Sequence, residues 1–182
     1  MKINSNKNQK KIGAFVGKFL PPHVGHLSVI DKALNECDEV VVVISDDAKK
    51  SKKLCMKTNF PHFCAKTRLK WFKKHYKNQK NAKFRIIDES KLKSENFDGR
   101  EYAELFWKSV KEKVNVKYAD ESYRELNEKY FPECEFVPIN REQIPIHSSD
   151  IRSNLNNLKF IIPEGQADIL KAIKNNEKLK NK

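Results

Sequence analysis

Several features that would announce a function are missing from this sequence. Its four cysteines, Cys37, Cys55, Cys64 and Cys134, form no CxxC pair, and their spacings match no zinc template. Reduced thiols in a cytoplasmic protein are therefore expected. The opening MKINSNKNQKK has no apolar h-region, so no secretory signal is read there. No apolar run approaches the ~20 residues needed to span a bilayer, and no membrane partner is expected. Neither GxGxxG nor GxxxxGK[ST] occurs, which removes the dinucleotide fingerprint and ordinary P-loop chemistry. No internal repeat at a solenoid period is present.

Positive charge, by contrast, is abundant. Lys and Arg number 37 against 24 Asp and Glu, a net charge of +13 over 182 residues. Such a balance favours anionic partners such as nucleotides, nucleic acid or an acidic surface. The lysines are scattered as well as clustered, so charge alone does not lead to nucleic acid, and a nucleic-acid partner is not expected. The length suits one domain with a real core. The expected organisation is a flexible arm over residues 1–10 and a single domain over 11–182.

Strand and helix patterns alternate about five times along the chain. KIGAFVG (11–17) is a short buried strand, and Leu27, Ile30 and Leu34 follow at helical spacing. EVVVVIS (39–45) is nearly uninterrupted and β-branched, as a strand buried on both faces of a parallel sheet should be. The first 45 residues thus read as a βαβ unit. Residues 46–63 read as a long polar loop, with the lysines at 49–53 as solvated loop residues. Further on, helix is expected at 65–76, 100–114 and 122–131, and strand at 82–89, 115–119 and 134–139. Another helix starts at Ser148, and a last one lies beyond Pro163. This is the pattern of an α/β domain with a mostly parallel sheet. Ligands of such sheets sit at the carboxyl ends of the strands.

At the first of these ends stands GKFLPPHVGH (17–26). A helix N-terminus offers free N–H groups and partial positive charge, which suits phosphate. If the helix begins near Val24, His23 and His26 lie three residues apart and face the same way. Both imidazoles could then bond one phosphate, with Lys18 adding charge. Gly25 lets a ligand approach the backbone, and Pro21 and Pro22 stiffen the entry.

This stretch resembles the first signature of the HxGH nucleotidyltransferase superfamily. IHSSDIR (146–152) resembles its second, with Ser148, Ser149, Ile151 and Arg152 in place and His147 where the family usually has Ser. The finer resemblance is to nicotinamide-mononucleotide adenylyltransferases, particularly the adenylyltransferase half of bacterial enzymes that also carry a ribosylnicotinamide kinase. TRLKWF (67–72), ELFWKSVKEKV (104–114) and YADESYRE (118–125) share it, and it covers roughly residues 11–163. It implies a Rossmann-like, five-stranded parallel sheet with helices on both faces.

The resemblance also implies that AMP passes from ATP to nicotinamide mononucleotide, giving NAD and pyrophosphate. Lys18, His23, His26 and Arg152 would be catalytic. Gly17, Lys18, Phe19, His23, Gly25, His26, Arg141, Ser148, Ser149 and Arg152 would bind ATP. Phe19, Arg68 and Trp107 would bind the acceptor, with Trp107 stacked on the cationic nicotinamide ring. Mg²⁺ would arrive with ATP and need no dedicated protein ligand. A homo-oligomer is compatible with the sequence. The alternatives are a cytidylyltransferase, a phosphopantetheine adenylyltransferase and, outside enzymes, a basic RNA-binding module. The cytidylyltransferase Arg-Thr-x-Gly-Ile-Ser run has no counterpart in INREQIPIHSS (139–149), and no RNA-binding signature interleaves the aromatics.

Overall fold

Val40 to Ile44, the most apolar stretch of the chain, lies at the heart of a five-stranded parallel sheet. The structure is a computed structural model, and it describes residues 10–94, 96–140 and 146–180, with side chains of the last helix described as far as residue 176. Of the expected arm, residues 1–9 lie outside the described residues, as does Arg141.

The strands are β1 (Ile12–Gly17), β2 (Glu39–Asp46), β3 (Ala82–Asp88), β4 (Val116–Asp120) and β5 (Glu135–Ile139). Their order is β3-β2-β1-β4-β5, and every pairing is parallel. Strand order therefore reverses between β1 and β4, which opens a crevice at their carboxyl ends. The helices are α1 (Val24–Glu36), α2 (Ala48–Met56), α3 (Ala65–His75), α4 (Gly99–Val110), α5 (Arg124–Tyr130), α6 (Ser148–Ser153) and α7 (Pro163–Lys180).

The alternation of β2 explains both faces of the sheet. Val40, Val42 and Ile44 join one cluster with Val29 and Ile30 of α1, Trp71 and Phe72 of α3 and Ile169 of α7. Val41 and Val43 join the other, with Ala103, Phe106 and Val110 of α4. All five β2 residues are at most 1% exposed, each contributing about 1.5–3 kcal/mol by burial. Among the described residues no helix is long and apolar enough to cross a membrane.

The reading of 46–63 as loop needs correction. Ala48–Met56 is helical, and Asp47 caps it by accepting from the N–H groups of Lys49 (2.9 Å) and Lys50 (3.1 Å). Only Ser51 and Cys55 of this helix are buried. An inward face that small and polar leaves no apolar stripe for periodicity to find. Two smaller differences follow local geometry. α4 stops at Val110, because Lys111 turns left-handed at φ 67°, and the predicted 122–131 helix begins with a 3₁₀ turn over Glu121–Tyr123.

On β4 the sheet buries a lysine. Lys117 is 4% exposed, with its ammonium 2.9 Å from the ring centroid of Phe131 and 4.6 Å from that of Phe106. The ring faces attract the cation, but loss of water dominates and pushes its pKa down to about 7. The unfolded chain keeps this proton up to about pH 10. The penalty for burying Lys117 should therefore shrink as pH climbs from 7 towards 10. We expect Lys117→Met to raise the melting temperature most at pH 6 to 7, with the gain shrinking towards pH 10. Thermal unfolding of both proteins across that range checks it, and a gain independent of pH would contradict the assigned cause.

Candidate active site

The β1–α1 turn is shaped by its own residues before any ligand is considered. A Cβ at Gly17 would stand 3.0 Å from the ring of Phe19, so a larger residue would displace that ring. Phe19 adopts a left-handed φ of 47° and is 1% exposed. Its ring meets those of Phe15, Phe72 and His26 edge-on, at 5.4, 5.0 and 4.8 Å between centroids. Phe19 thus forms the wall behind His26, and its ring is packed into the core.

His23 and His26 cap α1 reciprocally. The Gly25 N–H donates to His23 Nδ1, and the His23 N–H donates to His26 Nδ1, both at 3.2 Å. A nitrogen that accepts cannot carry the proton, so a neutral ring has its proton on Nε2. The cap therefore fixes the tautomer of both rings, whose centroids are 3.7 Å apart. Two Nε2–H donors side by side at a helix N-terminus suit phosphate oxygens.

The second signature folds onto this turn. Ser148 Oγ donates to the Pro21 carbonyl at 3.0 Å, Arg152 donates to the Leu20 carbonyl, and the Ile162 N–H donates to the Pro22 carbonyl at 3.2 Å. Asp150 accepts from the His147 N–H at 2.9 Å. His147 is thus the N-cap of α6, a place where its backbone, at least, is usefully engaged. Arg152 is 8% exposed, its Nε has no hydrogen-bond partner, and no carboxylate lies within ion-pair distance of it among the described residues. Burial lowers its pKa. Asp150 lies near enough to offset part of that cost, and an anion arriving in direct contact would offset more.

Lys18 is held at the rim by Glu89, 3.0 Å away. Glu89 also accepts from Ser45 Oγ at 2.8 Å, and Tyr102 OH lies 3.3 Å from that hydroxyl. Burial pushes the Tyr102 pKa up to about 12, so it stays a neutral phenol. These three residues escaped the sequence reading. Glu89 follows β3 directly, and its place at a strand's carboxyl end was the one available signal.

The histidines, Lys18, Glu89, Ser45, Tyr102 and Arg152 line one cavity of about 710 Å³ at the switch point. It brings together Gly17, Lys18, Phe19, His23, Gly25, His26, Ser148, Ser149 and Arg152. Two expected acceptor residues do not line it. Arg68 is fully buried beneath the turn, where it pairs with Asp46 at 2.8 Å and donates to the carbonyls of Lys18 and Phe63. Trp107 packs on Phe106 and Phe131 and borders a separate depression with Lys111 and Glu133. The reason is helical rise: Trp107 sits ~7.5 Å further along α4 than Tyr102, which does reach the cavity. Phe97 and Tyr123, 63% and 52% exposed, are the aromatics at the cavity mouth.

A parallel sheet of this order, with paired histidines capping the helix at its switch point, defines a nucleotidyltransferase of the HxGH kind. The family model described as cytidylyltransferase-like matches residues 14–154, and the chain belongs to that family. Over 84 residues it is 30% identical to the trifunctional NAD biosynthesis/regulator protein NadR of Salmonella typhimurium, and 29% to that of Escherichia coli. Each match covers 46% of this chain and 20% of the relative, so the chain corresponds to only part of those proteins. A NadR structure in complex with NAD and AMP-PNP shares the fold, with a TM-score of 0.67 and 20% identity over 86% of this chain and 46% of the other. So does a bifunctional NMN adenylyltransferase/ADP ribose pyrophosphatase from Francisella tularensis, with a TM-score of 0.56 and 18% identity over 87% and 44%.

The Arg68–Asp46 pair gives this site a testable foundation. Asp46→Asn should leave a buried guanidinium without its counter-charge and cost about 3–5 kcal/mol in urea unfolding. Asp46→Leu combined with Arg68→Met should recover much of that loss. If Asp46→Asn unfolds like the parent, the pair does not hold the turn.

Proposed function

We propose that this protein transfers AMP from ATP to nicotinamide mononucleotide, releasing pyrophosphate and forming NAD. The observation that carries this reading is the buried Arg152, with no carboxylate in ion-pair contact among the described residues, facing the same cavity as the two tautomer-fixed histidines. The kinship with NadR supports the choice of acceptor.

In this reaction an oxygen of the mononucleotide phosphate attacks the α-phosphorus of ATP. One P–O bond forms, the bond to the β-phosphate oxygen breaks, and pyrophosphate carries the electron pair away. No covalent enzyme intermediate is needed, so the chain's task is positioning and charge stabilisation. His23 and His26 donate from Nε2 to phosphate oxygens. Arg152 neutralises the triphosphate, and Ser148 and Ser149 sit beside it. Lys18 exchanges Glu89 for phosphate oxygens where charge builds up. That exchange costs little, because an ion pair this exposed contributes only about 0–1 kcal/mol. Mg²⁺ would come as part of the ATP substrate and would screen triphosphate charge. Phe97 and Tyr123, in place of Trp107, offer ring faces to the cationic pyridine of the acceptor.

Incubation with ATP and nicotinamide mononucleotide should release pyrophosphate and form NAD, and His26→Ala should slow turnover about a hundredfold or more. Pyrophosphate release with CTP and a phosphorylated alcohol, and none with ATP and the mononucleotide, would overturn the assignment. In the active enzyme, Phe97→Ala or Tyr123→Ala should raise KM for the mononucleotide several-fold and leave KM for ATP unchanged. Trp107→Phe should alter neither. A mononucleotide KM that responds only to Trp107→Phe would return the stacking role to that residue.

A further inference from the structure

The net positive charge of this chain arises in one continuous stretch. From residue 48 to residue 87 there is no aspartate or glutamate, against twelve lysines and two arginines. This stretch carries more net charge than the whole protein, so the remainder is close to neutral.

The fold packs both helices of that stretch against the same core cluster, with Cys55 of α2 and Trp71 and Phe72 of α3 buried in it. The stretch forms α2, α3 and nearly all of β3, the strand at the edge of the sheet. α2 buries Ser51 and Cys55 and leaves Lys49, Lys50, Lys52 and Lys53 exposed. α3 buries Arg68, Trp71 and Phe72 and exposes Lys66, Lys70, Lys73 and Lys74. Those four stand at i, i+4, i+7 and i+8, which is a single helical stripe. Lys50 with Asp47, at 3.6 Å, is the one ion pair made by an exposed lysine of this stretch among the described residues. Like charges gathered this closely repel one another, and a polyanion relieves that repulsion.

We infer that the lysine surface of this stretch binds the phosphate backbone of a nucleic-acid duplex, in addition to the nucleotide chemistry of the cavity. A bilayer fits it less well. A membrane-adsorbing helix needs an apolar face to bury, whereas α2 has no apolar stripe and α3 spends its own on the core, and Met56 is the one large apolar residue exposed on this stretch. Single strands fit less well too, because their binding relies on exposed aromatic platforms, and every aromatic of this stretch is buried or half-buried. What remains is a rigid lysine surface with nothing to read bases. It should recognise phosphate spacing and no sequence.

The full chain can be titrated into a short fluorescein-labelled RNA duplex, followed by anisotropy, with a DNA duplex of the same sequence in a parallel arm. Binding should weaken steeply with salt, the log–log slope being about −4 if four or five phosphates are engaged. The tighter arm identifies the natural duplex. The variant Lys66→Glu/Lys70→Glu/Lys73→Glu/Lys74→Glu changes only exposed residues and should lose affinity at least a hundredfold, with a shallower salt slope and unchanged far-UV circular dichroism. The control Lys91→Glu/Lys108→Glu/Lys129→Glu/Lys159→Glu makes the same change in net charge elsewhere and should lose only a few-fold. Equal losses in the two variants would overturn the inference, since net charge alone would then be acting. So would failure to bind either duplex at about 50 mM salt, or binding to vesicles of acidic phospholipid with neither duplex retained.

Discussion

Leu20, Pro21 and Pro22 point three consecutive carbonyls away from any strand or helix ladder, and each is met by a donor from a segment more than a hundred residues away. Prolines cannot repay such carbonyls with N–H groups of their own, so the turn depends on distant partners. Arg152, Ser148 and the Ile162 N–H provide them. A β-bridge between His23 and Ile161 continues the seam. The cavity exists because of this stitching. Without it the first signature would be a loop at the end of β1, and the second a short helix with nothing to close against.

The same economy recurs at the histidines. Their Nδ1 atoms terminate α1, and that structural duty decides which nitrogen carries the proton for chemistry. Arg152 likewise serves the turn with one N–H while its charge stays without an ion-paired carboxylate among the described residues. Fold and ligand site share side chains here. A substitution at Arg152 or His23 would therefore disturb both, and activity loss alone would not separate the two roles.

The sheet was legible in the sequence because its signal is one-dimensional. Five apolar β-branched residues in a row can only be a strand buried on both faces, and Val40–Ile44 is one. The histidine turn and IHSSDIR were legible for a different reason: each is a short contiguous string whose chemistry depends on local spacing. The misses share the opposite property. α2 announces itself only through a cap at Asp47 and two small inward residues. Glu89 matters because it meets Lys18 across 71 positions, and no period encodes that distance. Arg68, expected at the acceptor, is held beneath the turn by Asp46, 22 positions away in sequence. Trp107 belongs to the right helix, but the rise of that helix carries it away from the cavity.

Charge compensation then decides what each cation near the turn can do. Arg68 is locked to Asp46 with both side chains at most 5% exposed, and separating them would strand two charges in the core. It can only hold the Lys18 carbonyl in place. Lys18 is half exposed and tied to a carboxylate at the rim, so water and phosphate compete for it on nearly equal terms. Arg152 has no ion-paired carboxylate among the described residues and little access to water, so it gains most from an incoming anion. The three cations thus form a graded series, from fixed scaffold through exchangeable contact to waiting counter-charge. That gradation puts the cation with most to gain from an anion in the same cavity as His23 and His26, whose mouth carries the exposed rings of Phe97 and Tyr123.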